Sequence, residues 1–395
     1  MTAYLKVLGF PRVRYLFVSN LLGRLPNGMG TLAITLYLRS GGASYARIGV
    51  LAAIYALATA IGGPLLGRLI DRAGQPQVLL ASAAGSAAGF AGLALAGAGR
   101  PVVAGFAVVL AGALTPPLEP CLRSLWPDVL PDAETVQTAY ALDAALQEVV
   151  FVAGPLLVVG IGAALSPEAA VWATAGLALA GTGLFVLAEP VRRWRAEPRL
   201  PDWAGPLRAP ALRVLLAGLF GVGLALGVIN IAFVGYADAQ GRSGLAGILL
   251  GANALGALIG GLTYGGRVWL GASRSRMPML FGLLALGYAP LAAVLDPVPM
   301  TVLAVLSGLF LAPTLACAFV VIGEVAPAGT LTEAFSWVIT VFIVGSAVGS
   351  AVAGPLLEGA GLRWTLLVPV LVAAASFAVV AARLNPGDPP QAGPR

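Results

Sequence analysis

The chain has no histidine, a single lysine (Lys6) and two cysteines in 395 residues, and only 10% of its residues are charged. Without histidine, the usual side chain that titrates near neutrality is missing, so any proton handled here must move through carboxylates. Two cysteines build no disulfide framework, and no Cys/His cluster offers a metal site. Cys121 and Cys317 both fall in apolar runs and read as small packing residues. No Gly-x-x-x-x-Gly-Lys-Ser/Thr loop is present, which argues against ATP as a driving force and against an enzyme; neither cofactor nor metal is expected. The scarcity of charge excludes most. With 59% apolar residues and a mean hydropathy of +0.92, the chain cannot clothe a water-soluble globule. Its solvent is lipid.

What is present is a series of apolar runs of about 20 residues. They lie near 14–38, 46–69, 77–98, 101–124, 137–162, 169–188, 211–236, 244–267, 277–295, 299–323, 332–357 and 363–384. Each is long enough to cross a bilayer as a helix. An even number of spans puts both ends of the chain on one side, and the basic residues decide which. With the N-terminus inside, cytoplasmic segments hold 17 Lys and Arg, Arg199 and Arg395 among them, against only Arg39, Arg47, Arg100, Arg242 and Arg363 outside. The expectation is a multi-pass protein of the cell (cytoplasmic) membrane with both termini cytoplasmic. The net charge of +6 then reflects topology and not nucleic-acid binding. Met1 to Arg14 lacks the apolar core and cleavage site of a signal peptide and reads as a short cytoplasmic tail.

The second half of the chain is a worn copy of the first, 196 to 200 residues on. Ile61-Gly62-Gly63 with Gly67 recurs as Ile259-Gly260-Gly261 with Gly265; Pro117, Cys121 and Pro131 recur as Pro313, Cys317 and Pro327; Gly154-Pro155-Leu156-Leu157 recurs as Gly354-Pro355-Leu356-Leu357. Repeats of six spans build a central site between two halves. The expected fold is all-α, with twelve transmembrane helices in two pseudo-symmetric bundles, residues 1–190 and 211–395. A polar connector at 191–210 joins them, and its Arg192, Arg193 and Arg195 read as a solvated topology signal or as contacts to anionic lipid. Glycines four apart (Gly63 and Gly67, Gly85 and Gly89, Gly247 and Gly251, Gly256 and Gly260, Gly345 and Gly349) are expected to let helices approach closely. Pro26, Pro64, Pro116, Pro117, Pro120 and Pro313 interrupt spans.

Between the second and third spans the chain reads Gly67-Arg68-Leu69-Ile70-Asp71-Arg72-Ala73-Gly74-Gln75. This resembles the signature loop of the major facilitator superfamily, with Gln75 and Pro76 in place of its final basic pair. The resemblance implies a rocking pair of bundles that moves a small molecule by alternating access. Gly67 allows close helix contact, Gly74 a tight turn, and Asp71 can accept from a facing helix N-terminus or an arginine. With Arg72, and with Arg123 read as an edge partner of Asp71 or of a headgroup, these residues form an expected conformational latch. In the second repeat the position of Asp71 is Trp269, so the latch is expected in the first half only. Gly154-Pro155 resembles the glycine-proline signature of the superfamily's antiporters, without most of its flanking glycines (Ala153, Val158 and Val159 stand nearby), and is counted with the expected latch.

Charges inside spans are costly, roughly 2.5 to 3.5 kcal/mol each on insertion scales, so each one is a candidate for function. Arg24, Glu119, Asp143 and Glu148 are the deep ones, and by the resemblance they share one polar zone. One arginine cannot satisfy several carboxylates as anions, which leaves at least one acid to exchange a proton. A second reading stands beside it: Arg24 with Glu119 or Glu148 is a fixed ion pair, and Asp143 is merely hydrated. Asn230, Asn253 and Trp337 supply uncharged polar and aromatic surface in the second half, either as cavity wall or as helix bridges and packing. The reading of function is a proton-coupled secondary transporter exporting a small, amphiphilic or weakly polar organic solute, working as a monomer among membrane lipid. Uptake of a sugar-like or amphipathic metabolite is the alternative.

Overall fold

A computed structural model describes residues 2–198, 203–242, 244–267, 269 and 271–384. Arg199 and Arg395 lie outside the described residues, as does the middle of the connector. Among the described residues there is no strand. The helices are α1 (Thr2–Gly9), α2 (Pro11–Ser40), α3 (Tyr45–Ala73), α4 (Gln75–Ala96), α5 (Pro101–Ala113), α6 (Leu118–Val129), α7 (Ala133–Ala164), α8 (Pro167–Leu187) and α9 (Glu189–Arg193) in the first half. The second half contributes α10 (Pro210–Ala239), α11 (Gly244–Gly265), α12 (Ser273–Tyr288), α13 (Pro297–Gly308), α14 (Leu311–Val325), α15 (Leu331–Ala360) and α16 (Leu362–Arg383). Among the described residues, eleven helical segments are long and apolar enough to cross a membrane. The twelfth, α2, has the length, 30 residues, but carries Arg12, Arg14, Arg24 and Arg39.

Starts and stops follow local chemistry. Proline at the first turn opens α2, α5, α8, α10 and α13, where its missing N–H is not needed. Side chains of Ser44, Asp132 and Ser166 cap α3, α7 and α8 by accepting from backbone N–H groups three residues on. The fourth and tenth spans are each broken in two at repeat-equivalent places, between Ala113 and Leu118 and between Gly308 and Leu311. Thr115 and Thr314 hydroxyls satisfy carbonyls there, bonding Ala111 and Phe310.

The two halves pack in the same pattern. In the first, α2 lies along α7 and α8, α4 along α8, and α3 along α5; in the second, α10 lies along α15 and α16, α12 along α16, and α11 along α13. Of the glycine pairs, Gly85 and Gly89 meet Leu114 and Ala111 at the end of α5, Gly256 and Gly260 meet the carbonyls of Val305 and Leu309 at the end of α13, and Gly345 and Gly349 meet carbonyls of α10, as the spacing predicts. Gly247 and Gly251 depart from that expectation: neither would meet another atom if given a side chain. The tail read at 1–14 also needs correction, because α1 is folded, with Val7 fully buried against the bundle.

Both described ends of the chain lie at one end of the molecule, the terminal end, where Val7 and Leu384 join a core that runs through both halves. At the opposite end the first half has a core of its own, including Met29, Tyr55, Phe90 and Val171.

Candidate functional site

Four buried charges from three helices meet inside the first half. Arg24 comes from α2, Glu119 and Arg123 from α6, and Asp143 from α7, none more than 7% exposed. Arg24 Nη1 lies 2.5 Å from Asp143 Oδ1, and its Nη2 lies 3.3 Å from Glu119 Oε2. Arg123 Nε donates to Asp143 Oδ2 at 2.7 Å, and its Nη2 pairs with Glu119. Each guanidinium therefore touches both carboxylates, and the ring is electrically closed. The break in the fourth span makes this possible. It restarts the helix at Leu118, so Glu119 sits in a first turn, where the helix dipole favours an anion, and Arg123 follows one turn later on the same face. Arg24 also donates to Gln147 and, at 3.5 Å, to Asn20, whose amide donates to the Leu118 carbonyl at 2.7 Å. The Arg123 guanidinium lies 3.5 Å from the centroid of the Phe319 ring, which belongs to the second half.

This corrects two expectations. Arg123 is not an edge partner of Asp71; it completes the ring. Asp143 is not hydrated at a span end but fully buried between two arginines. Two cations now face two anions, so the ring itself leaves no carboxylate over. Glu148 is the one expected member that stays out. It is half-buried, and among the described residues it has neither an ion pair nor a hydrogen bond. It stands one turn beyond Ala144 and Ala145, on the face of α7 whose Ala141 and Ala145 lie against Gly265 and Gly261 of α11.

The second-half candidates do not join the ring. Asn253 bridges α11 to α13, its amide donating to Ser307 Oγ at 2.8 Å. Asn230 is exposed on α10, and Trp337 is half-buried with an indole N–H that lacks an acceptor. Sequence reasoning passed over Gln147, Asn20 and Asn27, although the signal was there. Asn20, Arg24, Asn27, Thr31 and Thr35 fall at spacings of three and four, one polar stripe along α2 that runs from the ring to the end opposite the termini.

At the terminal end the halves are bolted together. Asp71 accepts from the backbone N–H groups of Thr332 at 3.1 Å and Glu333 at 2.9 Å, the first turn of α15. Arg68 donates to Glu333 through Nε at 3.0 Å and Nη2 at 2.5 Å. Gly67 permits the approach, since a side chain there would press on Ser336 and Glu333. Gly74 turns the chain with a φ of 89° beside Arg195, while Arg72 is exposed. Gly154 does not touch the seam; its backbone meets that of Gly28, with Pro155 following in α7, so this pair packs α7 on α2. At the repeat-equivalent seam Trp269 stacks on Tyr264, hydroxyls donate to carbonyls (Thr138 to Gly265 at 3.1 Å, Tyr4 to Gly261 at 3.1 Å and to Leu262 at 2.8 Å), and Arg276 Nη2 donates to Gln137 Oε1 at 3.4 Å. Burial holds the Tyr4 hydroxyl proton on, with its pKa pushed up to about 12.

Among the described residues, the side-chain hydrogen bonds and ion pairs between halves all lie in the terminal half of the molecule, ending at Thr340, whose hydroxyl donates to Ala60 at 2.6 Å. The polar contacts that join the halves are therefore gathered at the terminal end.

This architecture is shared by many solved structures. A bacterial homologue of the iron transporter ferroportin, in an outward-facing state, is 16% identical, with 93% of this chain and 98% of that one covered and a TM-score of 0.73. FucP, a major facilitator superfamily transporter in the outward conformation, the E. coli fucose:proton symporter, is 14% identical with coverages of 95% and 98% and a TM-score of 0.68. The human organic anion transporter MFSD10 is 16% identical, with coverages of 94% and 100% and a TM-score of 0.67. Comparison with curated proteins finds no match. The family model described as Major Facilitator Superfamily matches residues 16–294 and 215–395. Twelve spans in two matching halves, with a Gly-Asp loop seated on the facing helix and this family match, make the chain a member of the major facilitator superfamily, a multi-pass membrane transporter and not an enzyme.

Proposed function

We propose that the chain is a proton-coupled exporter of small organic solutes, with residues 1–190 and 211–395 as rocking bundles and 191–210 as their cytoplasmic connector. The observation that carries the proposal is Glu148, a carboxyl without a partner among the described residues, one turn beyond the contact of Ala145 with α11 and beside a ring of charges that is already closed. A lone carboxyl in such a place gains from taking a proton when water is withdrawn and from releasing it when access returns. Each proton moved inward supplies about 2.3 kcal/mol per 100 mV, enough with a pH gradient to support a solute gradient on the order of a hundredfold. The Gly154-Pro155 resemblance supports export. The termini face the cytoplasm in this reading, so the end where polar contacts join the halves is the inner one and the solute leaves through the other. The polar stripe of Asn20, Asn27, Thr31 and Thr35 along α2, interleaved with apolar residues, suits an amphiphilic or weakly polar solute.

The test is proton movement in proteoliposomes holding purified protein, with an imposed proton gradient and a panel of lipophilic cations and neutral drugs. Glu148→Gln is expected to abolish solute-driven proton flux while solute exchange without a gradient persists. Glu119→Gln is expected to reduce both together, because it unbalances the ring. Coupled flux surviving in Glu148→Gln would overturn the assignment. A second reading, uptake of a hydrogen-bonding metabolite, is favoured by Asn27, Thr31 and Thr35 on the stripe; it is the reading to adopt if no drug moves protons and a polar metabolite does.

A further inference from the structure

A cavity of about 720 Å³ lies away from the ring, at the terminal end of the first half, where the elbow between α1 and α2 meets the end of α6 and helix α9. Its volume is that of a ligand pocket. The walls combine two chemistries. Phe10 and the edge of Trp194 supply apolar surface over the buried Val13 and Leu125, and Arg12, Arg193 and Arg195 supply guanidinium groups. Glu189 is gripped from two sides, by Arg12 Nη2 at 3.1 Å and Arg193 Nη1 at 3.0 Å. With Asp128 also in the lining, three cations face two anions, and Arg14 and Arg192 stand exposed close by in the chain. Arg195 Nη1 donates to the carbonyls of Arg192 at 3.2 Å and Trp194 at 2.7 Å, which holds that guanidinium at the pocket wall.

The depth of the cavity narrows the occupant. Pro11 opens α2, Val129 closes α6 and Leu187 closes α8, so the cavity sits where spans end, at the level of lipid headgroups. A free anion has no use for the apolar wall, whereas a phospholipid presents a phosphate and an acyl glycerol together. We propose that this cavity binds the headgroup of an anionic phospholipid, its phosphate on Arg193 and Arg195 and its glycerol and first acyl carbons on Phe10 and the edge of Trp194. The site has a mechanical consequence. Phe10 to Val13 form the elbow from which α1 extends, and α1 carries Tyr4 to the carbonyls of the second half. A lipid seated at the elbow steadies that strap.

Full-length protein in detergent, titrated with phosphatidylglycerol or phosphatidylcholine and read by native mass spectrometry, tests the proposal. Wild type is expected to retain phosphatidylglycerol in preference to phosphatidylcholine. The double variant Arg193→Ala/Arg195→Ala is expected to bind it about thirtyfold more weakly, and Arg195→Ala, which leaves both Glu189 pairs intact, about fivefold. Lysine at both positions is expected to keep most of the binding, and Arg192→Ala, outside the lining, nearly all of it. Equal retention of the two lipids, or a folded Arg195→Ala variant that binds as wild type, overturns the proposal. Displacement of the lipid by inorganic phosphate also overturns it, by making the site one for a free anion.

Discussion

Asp143 accepts from a different guanidinium on each oxygen, so its charge is balanced twice over within the ring. Asp143→Asn leaves two buried arginines against Glu119 alone. Removing one partner of a buried ion pair costs about 3 to 5 kcal/mol, and the expected outcome is a clear fall in thermal unfolding temperature in detergent. Pairing it with Arg123→Met is expected to recover part of the loss by restoring neutrality, and simple additivity in that double-mutant cycle would remove Arg123 from the ring. Outside the membrane, Asp132 caps α7 by accepting from Thr135 N–H at 2.8 Å, with Lys6 Nζ 3.5 Å away. The Thr135 hydrogen bond first, and then the Lys6 charge, hold this carboxyl below the usual carboxylate range. A carboxyl lowered on folding stabilises when ionised, and that contribution is lost as pH falls through the folded value. Asp132→Asn is therefore expected to melt below wild type at neutral pH and to converge with it in acid. At this scale Arg24, Glu119 and Asp143 were legible, because a charge in an apolar run must be partnered. Arg123 was misplaced because a linear count sets it near a span end, and nothing in that count shows the helix restarting at Leu118.

The twelve long elements were legible to within a few residues, since lipid demands unbroken apolar length and Pro, Gly or charge ends it. The eight-residue α1 was not, because neither its length nor its pattern separates it from a tail. Its place is set by a contact 257 residues away, where Tyr4 donates to Gly261 and Leu262, and Gly265 leaves room for the ring. Tyr4→Phe removes these bonds and keeps the packing. It is expected to weaken terminal-end closure by about 1 kcal/mol, roughly fivefold in the ratio of the two states. Accessibility of a cysteine placed at Thr138 to a water-soluble thiol reagent, in a background with Cys121 and Cys317 replaced, measures it. Labelling no faster than in the same background with Tyr4 would show that α1 is not a strap.

Across the whole molecule the two seams between halves are made differently although the repeat makes the helices equivalent. On one, α3 meets α15 through a carboxylate and a salt bridge, Asp71 on the first turn of α15 and Arg68 on Glu333; on the other, where α7 meets the second half, no carboxylate takes part among the described residues, and the bonds run from Thr138 to the Gly265 carbonyl and from Arg276 to the Gln137 amide. The replacement of Asp71 by Trp269 in the second repeat made this asymmetry legible, but Glu333 and Arg68 were not, because their pairing spans 265 residues of sequence. Hydrogen bonds to an ionised group contribute about 1.5 to 3 kcal/mol, so the Asp71 seam should dominate closure of the terminal end. Asp71→Asn is expected to move the population toward a terminal-open state by about ten- to a hundredfold. Spin labels at Arg72 and Ala328, both exposed at that end, would show the gain as a second, longer distance. Alternating access needs both states, so the same variant should slow net transport while leaving solute binding from the newly opened side intact. An unchanged distance distribution would mean that apolar packing around Phe319, Phe335 and Tyr140 holds the end shut by itself.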